Sequence, residues 1–381
     1  MKIINPLIAI LVLAAVCFSE CTKWNPGHYM LVWLEAPQKN YKKIFGTSFK
    51  GVQARYFWSD LEPQKDTYDF SHIESDLKLL QENGKRLVVQ IMDRRFHNKS
   101  SIPVPDYIVN DSKYNGGILE SDNGGYIARV WDSTVVNRIN ALHAALGKRF
   151  DAEPHFEAIC TEETALGIND KKSIPGFSSA EYLKQLKSRV TETKKAFPNT
   201  VVITYVNWLP ENDIKELAEY SYQQGAGWGG PDVIPGGSLP AYPYYESYKG
   251  KMPFGTAIQT PSLGGKEGTF TMDQLYNMGV DTLNLNYMFW IESDGGTPKF
   301  TTDIIPYIDG KNGLTNTECP ENIKPCCGDV AAQGFPLRTQ SAHPATMQNV
   351  TEVIFNLQGR IIGNSFPIKN APLLRRCIKN P

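Results

Sequence analysis

The 381-residue sequence contains few histidines and cysteines and carries almost no net charge. Its six histidines form no metal-ligand spacing, and neither they nor the cysteines cluster at predicted strand ends, so metal and thiol chemistry have little support. A formal net charge of -1 argues against a nucleic-acid surface, which needs a basic face to offset phosphate charge. We therefore expect no metal, no other cofactor and no nucleic-acid partner.

Beyond its first 20 residues the chain has no stretch apolar enough to span a bilayer. Residues 1–20 combine an early Lys2, an apolar stretch from Pro6 to Phe18 and small residues near the end, which is the pattern of a secretory signal peptide. We expect cleavage near Ser19. The mature protein is then expected to be secreted and extracellular, monomeric, and without membrane association.

Secretion favours disulfides over metal ligands for the remaining cysteines. Cys160 lies inside an apolar run and is expected to be a free, buried thiol. Four cysteines fall in residues 311–381, which we predict to be a short disulfide-containing C-terminal appendage, although the sequence does not choose among the possible pairings. Sequons at Asn98, Asn110 and Asn349 predict a glycoprotein. The cysteines left after signal removal are Cys21, Cys160, Cys319, Cys326, Cys327 and Cys377.

Short β-branched or aromatic runs alternate with charged, helix-like stretches, which predicts an α/β fold built from β-α units. The predicted strands are 28–34, 51–58, 86–92, 155–160, 200–206, 225–230, 253–259 and 281–290, and the predicted helices are 71–83, 133–150, 179–197, 211–223 and 271–278. Eight such strands indicate a (β/α)8 TIM barrel over residues 21–310. A doubly wound open sheet competes, but no glycine-rich dinucleotide fingerprint follows any strand. Residues 96–131 predict an excursion over one rim.

Barrel enzymes place their reacting groups at the carboxyl ends of the strands. At these ends the sequence offers carboxylates, amides, an arginine and aromatic side chains, which suit a polyhydroxylated ring because amides fix hydroxyls and indoles stack on C–H faces. The candidate catalytic residues are Glu162, Glu163, Asp232 and Glu292, and the candidate substrate-binding residues are Arg55, Trp58, Tyr205, Asn207, Gln259 and Trp290. The competing interpretation of Glu162 and Glu163 is a pair of solvated loop glutamates.

Three segments resemble the clan A superfamily of (β/α)8 glycoside hydrolases. They are residues 51–77, which contain Glu-Pro and Tyr-Asp-Phe, residues 146–167 ("LGKRFDAEPHFEAICTEETALG") and residues 286–291 ("NYMFWI"). The resemblance implies an acid/base glutamate after strand four and a tryptophan under the sugar on strand eight, here Trp290. The clan usually has Asn then Glu, which makes Glu163 the acid/base and puts Glu162 in the place of the asparagine. The opposite assignment, with Thr161 in that place, stays open. Arg55 matches an arginine beneath the nucleophile, and an ion pair inside the barrel is its alternative.

The sequence departs from the clan at strand seven, where the nucleophilic glutamate is expected and Gln259 stands. A carboxamide cannot form a glycosyl-enzyme bond. Either Asp232 or Glu292 supplies the second carboxylate, or the enzyme inverts with Asp232 as a base, or the barrel binds sugar without cleaving it. We therefore expect a secreted glycoside hydrolase that acts on an oligosaccharide or polysaccharide. The alternatives are a degenerate carbohydrate-binding or matrix barrel and, with less support, a polysaccharide lyase.

Overall fold

A computed structural model describes residues 21–33, 38–97, 99–259, 263–265 and 268–323, together with two short strands, Val353–Phe355 and Ile361–Asn364. The predicted signal peptide 1–20, the sequons at Asn98 and Asn349, and Cys326, Cys327 and Cys377 lie outside the described residues. The chain divides into two compact units, Met1–Ala331 and Ala332–Pro381, whereas the predicted boundary lies after residue 310. In the second unit the two short strands pair antiparallel.

Eight parallel strands close into a barrel, which confirms the predicted TIM-barrel architecture. Around the barrel the strands follow the order β1-β8-β7-β6-β5-β4-β3-β2. The strands are β1 Gly27–Leu31, β2 Gly51–Phe57, β3 Arg86–Met92, β4 Phe156–Cys160, β5 Val201–Tyr205, β6 Gly227–Gly230, β7 Phe254–Ile258 and β8 Tyr287–Ile291. Strand β8 begins later than predicted because residues 278–282 form a π-helical turn and Asn284 adopts a positive φ of 52°.

Helices surround the barrel and alternate with its strands. The α-helices of the described chain are α1 Trp58–Leu61, α2 Ser71–Glu82, α3 Asp106–Asn110, α4 Ser133–Phe150, α5 Ser179–Ala196, α6 Glu211–Gln223, α7 Pro243–Ser247, α8 Met272–Asn277 and α9 Ile305–Gly310. Short 3-10 helices span Gln38–Ile44, Ser112–Tyr114 and Lys171–Ser173, and π-helical turns span Met278–Thr282 and Phe300–Ile304. Helices α4 and α6 have the predicted bounds. None of the described helices is both long and apolar enough to cross a bilayer.

The predicted excursion after the third strand is a small antiparallel sheet. It is built from Arg94–His97, Ile118–Glu120 and Gly124–Ala128, with the last of these in the centre. A second excursion, after β7, is the two-stranded pair Leu263–Gly265 and Gly268–Thr269. Both follow carboxyl ends of barrel strands, so they form part of the rim that surrounds the mouth of the barrel.

One irregularity in β4 sets which of its side chains point into the barrel. Leu87 of β3 pairs with Phe156, and the next residue, Val88, pairs with Ala158, so β4 carries an extra residue at Glu157. Glu157 is buried and accepts a hydrogen bond from Tyr287 at 2.9 Å. Three residues on, the sulfur of Cys160 accepts a hydrogen bond from Gln53 inside the barrel at 3.5 Å. The two side chains therefore point inward although strict alternation would put them on opposite faces.

The segment after α9 contacts the amino ends of the barrel strands. Cys160 is free and buried, as predicted, and Cys21 and Cys319 are each disulfide-bonded. The carbonyl of Leu314 lies 3.0 Å from the His28 Nε2 atom of β1, and Trp24 donates a hydrogen bond to the Thr317 carbonyl at 3.1 Å. These contacts lie at the amino ends of the strands and leave the carboxyl ends open.

The close approach of α4 to α5 at Gly147 yields a stability prediction. A Cβ atom at Gly147 lies 2.1 Å from the Ala196 carbonyl oxygen, so Gly147→Ala forces the two helices apart. We expect the free energy of unfolding to fall by about 1–3 kcal/mol, as overpacking does elsewhere. Gly310→Ala is the control, because a Cβ there meets no atom within 4 Å. Urea unfolding measures both, and equal stabilities of the two variants contradict the prediction.

Candidate active site

A chain of hydrogen bonds crosses the mouth of the barrel. The Arg55 guanidinium on β2 donates from Nε to the Gln90 side-chain oxygen and from Nη2 to the Gln259 side-chain oxygen, both at 3.1 Å. The Gln90 amide nitrogen then donates to Glu162 at 3.2 Å, and the Gln259 amide nitrogen donates to Asp232 at 3.5 Å. The structure thus brings together side chains from the ends of five elements: β2, β3, β4, β6 and β7.

Glu162 and Glu163 follow β4 directly, and both have raised pKa values. Glu162 is buried; loss of hydration is the main cause that raises its pKa, and the adjacent charge of Glu163 raises it further. Glu163 is half-buried at the mouth. Desolvation raises the pKa of Glu163 as well, and the nearby Asp232 carboxylate adds to the increase. The positive charge of Arg94 opposes the increase at both glutamates. The pair therefore holds protons more tightly than ordinary glutamates do.

Asn207, two residues beyond β5, orients Glu163. Its side-chain oxygen accepts a hydrogen bond from the Ala165 backbone nitrogen at 2.9 Å. That contact fixes which end of the amide is the oxygen, so the amide nitrogen is the group that donates to Glu163. The Thr164 hydroxyl accepts from the backbone nitrogens of Asn207 and Trp208 at 3.2 Å each. The loops after β4 and β5 are therefore joined beside the two glutamates.

A buried ionic cluster supports the loop that carries the glutamates. Arg94 donates to Asp93 at 2.7 Å and to the Ala165 carbonyl at 2.6 Å. Arg189 of α5 lies 2.9 Å from the other Asp93 oxygen, and the Tyr182 hydroxyl donates to the Thr164 carbonyl at 2.9 Å. The Asp93, Arg94 and Arg189 side chains are almost fully buried, so removal of Asp93 leaves two buried guanidinium groups without their shared carboxylate. The cluster fixes the backbone that directs Glu162 and Glu163.

Three predicted site residues are not at the mouth. Trp58 is buried in α1 and donates to Glu62 at 2.8 Å, so its ring offers no face to a ligand. Trp290 is also buried; it donates to the His28 ring at 2.9 Å on the outer side of the barrel wall, so it does not form the platform under a sugar that the resemblance implies. Tyr205 is buried in the barrel interior, where its hydroxyl accepts from Gln53 at 2.9 Å. Asn207, two residues later, takes the position at the mouth.

Glu292 follows β8, but its carboxylate is held at the rim. Lys43 forms an ion pair with one oxygen, and Asn40 donates to the other at 3.1 Å. Both partners lie on the 3-10 helix Gln38–Ile44 after β1. Asp232 and Glu292 were the two candidates for the second carboxylate that Gln259 cannot supply. Of these two, Asp232 is joined to the hydrogen-bonded chain across the mouth.

The structure also places at the mouth residues that were not among the predicted site residues. Gln90 links Arg55 to Glu162, and its signal in the sequence was a lone polar residue in an apolar strand. Trp33 and Trp208 are exposed by 46% and 60%, and both follow barrel strands. No signal in the sequence separates these exposed rings from the buried ones. Within the part of the chain that the structure describes, no group of histidine, cysteine and acidic residues could hold a metal ion.

Comparisons with known proteins identify the fold. No protein-family model matches the chain, and no curated protein matches it. Among solved structures, the β-amylase catalytic domain of Paenibacillus polymyxa aligns with a TM-score of 0.52 at 10% identity, over 79% of this chain and 95% of that one. A GH5_18 protein of Streptomyces cattleya in complex with Manβ1-4GlcNAc gives 0.47 at 10% identity (84% and 83%). Endo-glycoceramidase II of Rhodococcus sp. gives 0.45 at 12% identity (71% and 75%).

At such low identity, the likeness to the β-amylase domain concerns the course of the chain and assigns no role to any residue. It agrees with the closed eight-stranded barrel of this structure. The chain has the (β/α)8 barrel fold that its resemblance to clan A implies.

Glu163→Gln tests the electrostatic link between the two glutamates. The charge of Glu163 raises the pKa of Glu162, so removal of that charge favours ionised Glu162. We expect the pKa of Glu162 to fall in this variant, as measured by NMR titration of 13C-labelled glutamate carboxyl groups. Glu192→Gln, at a half-exposed position of α5, is the matched control and leaves that pKa unchanged. An unchanged or higher pKa of Glu162 in Glu163→Gln contradicts the prediction.

Proposed function

We propose that the protein is a glycoside hydrolase that cleaves O-glycosidic bonds of an oligosaccharide or polysaccharide by carboxylate general acid/base chemistry. One observation carries the proposal: Glu163 is a half-buried carboxyl group at the barrel mouth, with a raised pKa and a second carboxylate, Asp232, close enough to influence it. An acid that holds its proton near neutral pH beside an ionised partner is the arrangement that glycoside hydrolysis needs.

In the first step Glu163 donates its proton to the glycosidic oxygen as the bond from that oxygen to the anomeric carbon breaks. Desolvation keeps the proton on Glu163 before the step, and the Asn207 amide stabilises the carboxylate that remains afterwards. Glu163 then accepts a proton from the attacking water when the reaction retains configuration. Glu163 lies beside Asn207, which follows β5. The leaving group of the sugar chain is therefore expected on the Asn207 side of the mouth.

Asp232 is the second carboxylate in this proposal. It either attacks the anomeric carbon or removes a proton from the attacking water, and these alternatives give retained and inverted products, respectively. Gln259 donates to Asp232 at 3.5 Å and is itself held by Arg55 at 3.1 Å. The amide that replaces the clan's nucleophile thus positions the carboxylate that substitutes for it. NMR of the first-formed anomer distinguishes the two stereochemical courses.

A second candidate function is carbohydrate binding without cleavage, and Gln259 favours it. Its carboxamide stands at the strand end where the resemblance implies a nucleophile, and it cannot form the covalent intermediate. The raised pKa values of Glu162 and Glu163 favour catalysis instead, because binding alone does not require a carboxyl group that stays protonated near neutrality. Glycan binding with no release of reducing ends from any bound glycan supports the binding candidate.

We further propose that the protein is a secreted, extracellular monomeric glycoprotein and that disulfides join its C-terminal residues. The support is the signal-like segment 1–20, the cysteines after residue 310, and the sequon at Asn110, which is exposed at the end of α3. Expression in a eukaryotic secretory host should give a new N-terminus near Ser19 and a mass that falls on treatment with a peptide N-glycosidase. Retention of residues 1–20 in a protein confined to the cell contradicts this proposal.

Glu163→Gln tests the catalytic assignment. We expect kcat to fall by about 10²- to 10⁴-fold on natural glycans, because the variant cannot protonate the leaving oxygen. The loss should be much smaller for aryl glycosides with an acidic phenol, since that leaving group needs little protonation. Asp232→Asn should reduce kcat for both kinds of substrate, because either role of Asp232 acts on the anomeric carbon or its water.

Glu192→Gln is the matched control for general effects of a charge removal, and it should keep full activity. Circular dichroism and thermal unfolding establish that the variants are folded. If Glu163→Gln and Asp232→Asn retain wild-type activity on a cleaved glycan, the assignment is wrong.

A further inference from the structure

Two tryptophans stand apart from the others in their exposure. The chain has seven, and five of them are buried, whereas Trp33 is 46% exposed and Trp208 is 60% exposed. Keeping part of a large aromatic side chain in water forgoes free energy of burial. Single exposed apolar residues are common on proteins. Two exposed indoles at one mouth, on either side of a carboxylate site, are a more specific arrangement.

The two rings lie on opposite sides of the barrel mouth. Trp33 is the second residue after β1, and Trp208 is the third after β5. In the closed strand order β1 and β5 are four strands apart in either direction, which is the largest separation that an eight-stranded barrel allows. The strand spacing and tilt of such barrels put opposite strands about 15 Å apart. That span exceeds one monosaccharide, and the hydrogen-bonded chain through Arg55 lies between the two ends.

Each exposed ring is supported by a cation from one side. The Arg55 guanidinium lies 5.2 Å from the Trp33 ring centroid, and the Lys171 ammonium lies 5.3 Å from that of Trp208. A cation over one face restricts the ring by cation–π attraction. The exposed part of each side chain is then available on its other side, where the C–H face of a pyranose can stack.

Two cavities adjoin Trp33. One of ≈ 750 Å³ is lined by Trp33, Arg55 and the carboxylates of Asp60 and Asp76, and one of ≈ 520 Å³ is lined by Trp33, Ser293 and Thr297. Volumes of this size are typical of ligand sites. Their carboxylates and hydroxyls can accept and donate hydrogen bonds to sugar hydroxyls. The Trp33 side of the mouth therefore has room for more than one sugar residue.

We infer that Trp33 and Trp208 are the two platforms of one cleft, which binds a linear oligosaccharide across the mouth and presents an internal glycosidic bond to Glu163. Trp208 adjoins Asn207, which contacts Glu163, so Trp208 carries the leaving-group end and Trp33 the opposite end. The cleft acts within chains rather than only at their ends. This inference deepens the proposed function and rests on it for the identity of the ligand as a sugar chain.

Binding is measured apart from hydrolysis by using Glu163→Gln as the parent protein. The probes are linear cello-, manno-, xylo-, malto- and chito-oligosaccharides, from disaccharide to hexasaccharide, titrated by isothermal calorimetry. In at least one series we expect affinity to rise with chain length. Adding Trp33→Ala or Trp208→Ala should each weaken hexasaccharide binding about tenfold, the equivalent of one lost stacking contact, and should change disaccharide binding much less.

Leu314→Ala is the matched control, because Leu314 is an exposed large apolar residue at the other end of the barrel. Trp33→Phe and Trp208→Phe keep an aromatic face and should restore part of the lost affinity. The inference is overturned if no series binds more tightly as it lengthens, or if the tryptophan variants bind the hexasaccharide as the parent does. If affinity rises with chain length but the wild-type protein cleaves none of the bound oligosaccharides, the inference of a binding cleft is supported. Only the proposal that the protein is a hydrolase is then overturned.

Discussion

The guanidinium of Arg55 is a buried positive charge whose two described hydrogen bonds go to neutral amides, those of Gln90 and Gln259. Amide oxygens satisfy its donors but do not cancel its charge, and an uncompensated buried charge is costly. The acidic groups of the hydrogen-bonded chain lie one step further out, at Glu162 and Asp232. The geometry of the two amides therefore sets how the charge of Arg55 acts on the acidic groups at the mouth.

Two opposing effects act on the carboxyl groups of Glu162 and Glu163. Loss of hydration favours their neutral forms, while Arg55 and Arg94 favour ionisation. Neither effect removes the other, so the site is suited to hold protonated and ionised carboxyls side by side. The proposed mechanism requires such a mixed state, with one carboxyl as proton donor and another as nucleophile or base. The buried cluster of Asp93, Arg94 and the Ala165 carbonyl fixes the backbone of the loop that carries Glu162 and Glu163.

The fold could be predicted from the sequence because eight apolar runs alternate with helix-like stretches, and the bounds of α4 needed no tertiary information. The direction of each side chain could not be predicted. In β8 both faces are apolar, so nothing in "YMFWI" shows that Phe289 points inward while Trp290 packs outside against His28. Glu292 was misplaced for another reason: its partner, Lys43, comes from a 3-10 helix far away in the chain. Contacts between distant segments leave no local pattern.

The extra residue in β4 has a further consequence. It reverses the inside–outside alternation once, so a single strand of five residues contributes Glu157 to the closed end of the barrel and directs Glu162 inward at the open one. A relative that lacked this residue would keep the pairing of Ala158–Cys160 with Val88–Gln90, so Glu162 would still point inward. It would lose the buried carboxylate that accepts hydrogen bonds from Tyr287 and from the backbone and side-chain nitrogens of Asn25. The extra residue thus adds an acceptor at the closed end of the barrel without changing the directions of the side chains at the open end.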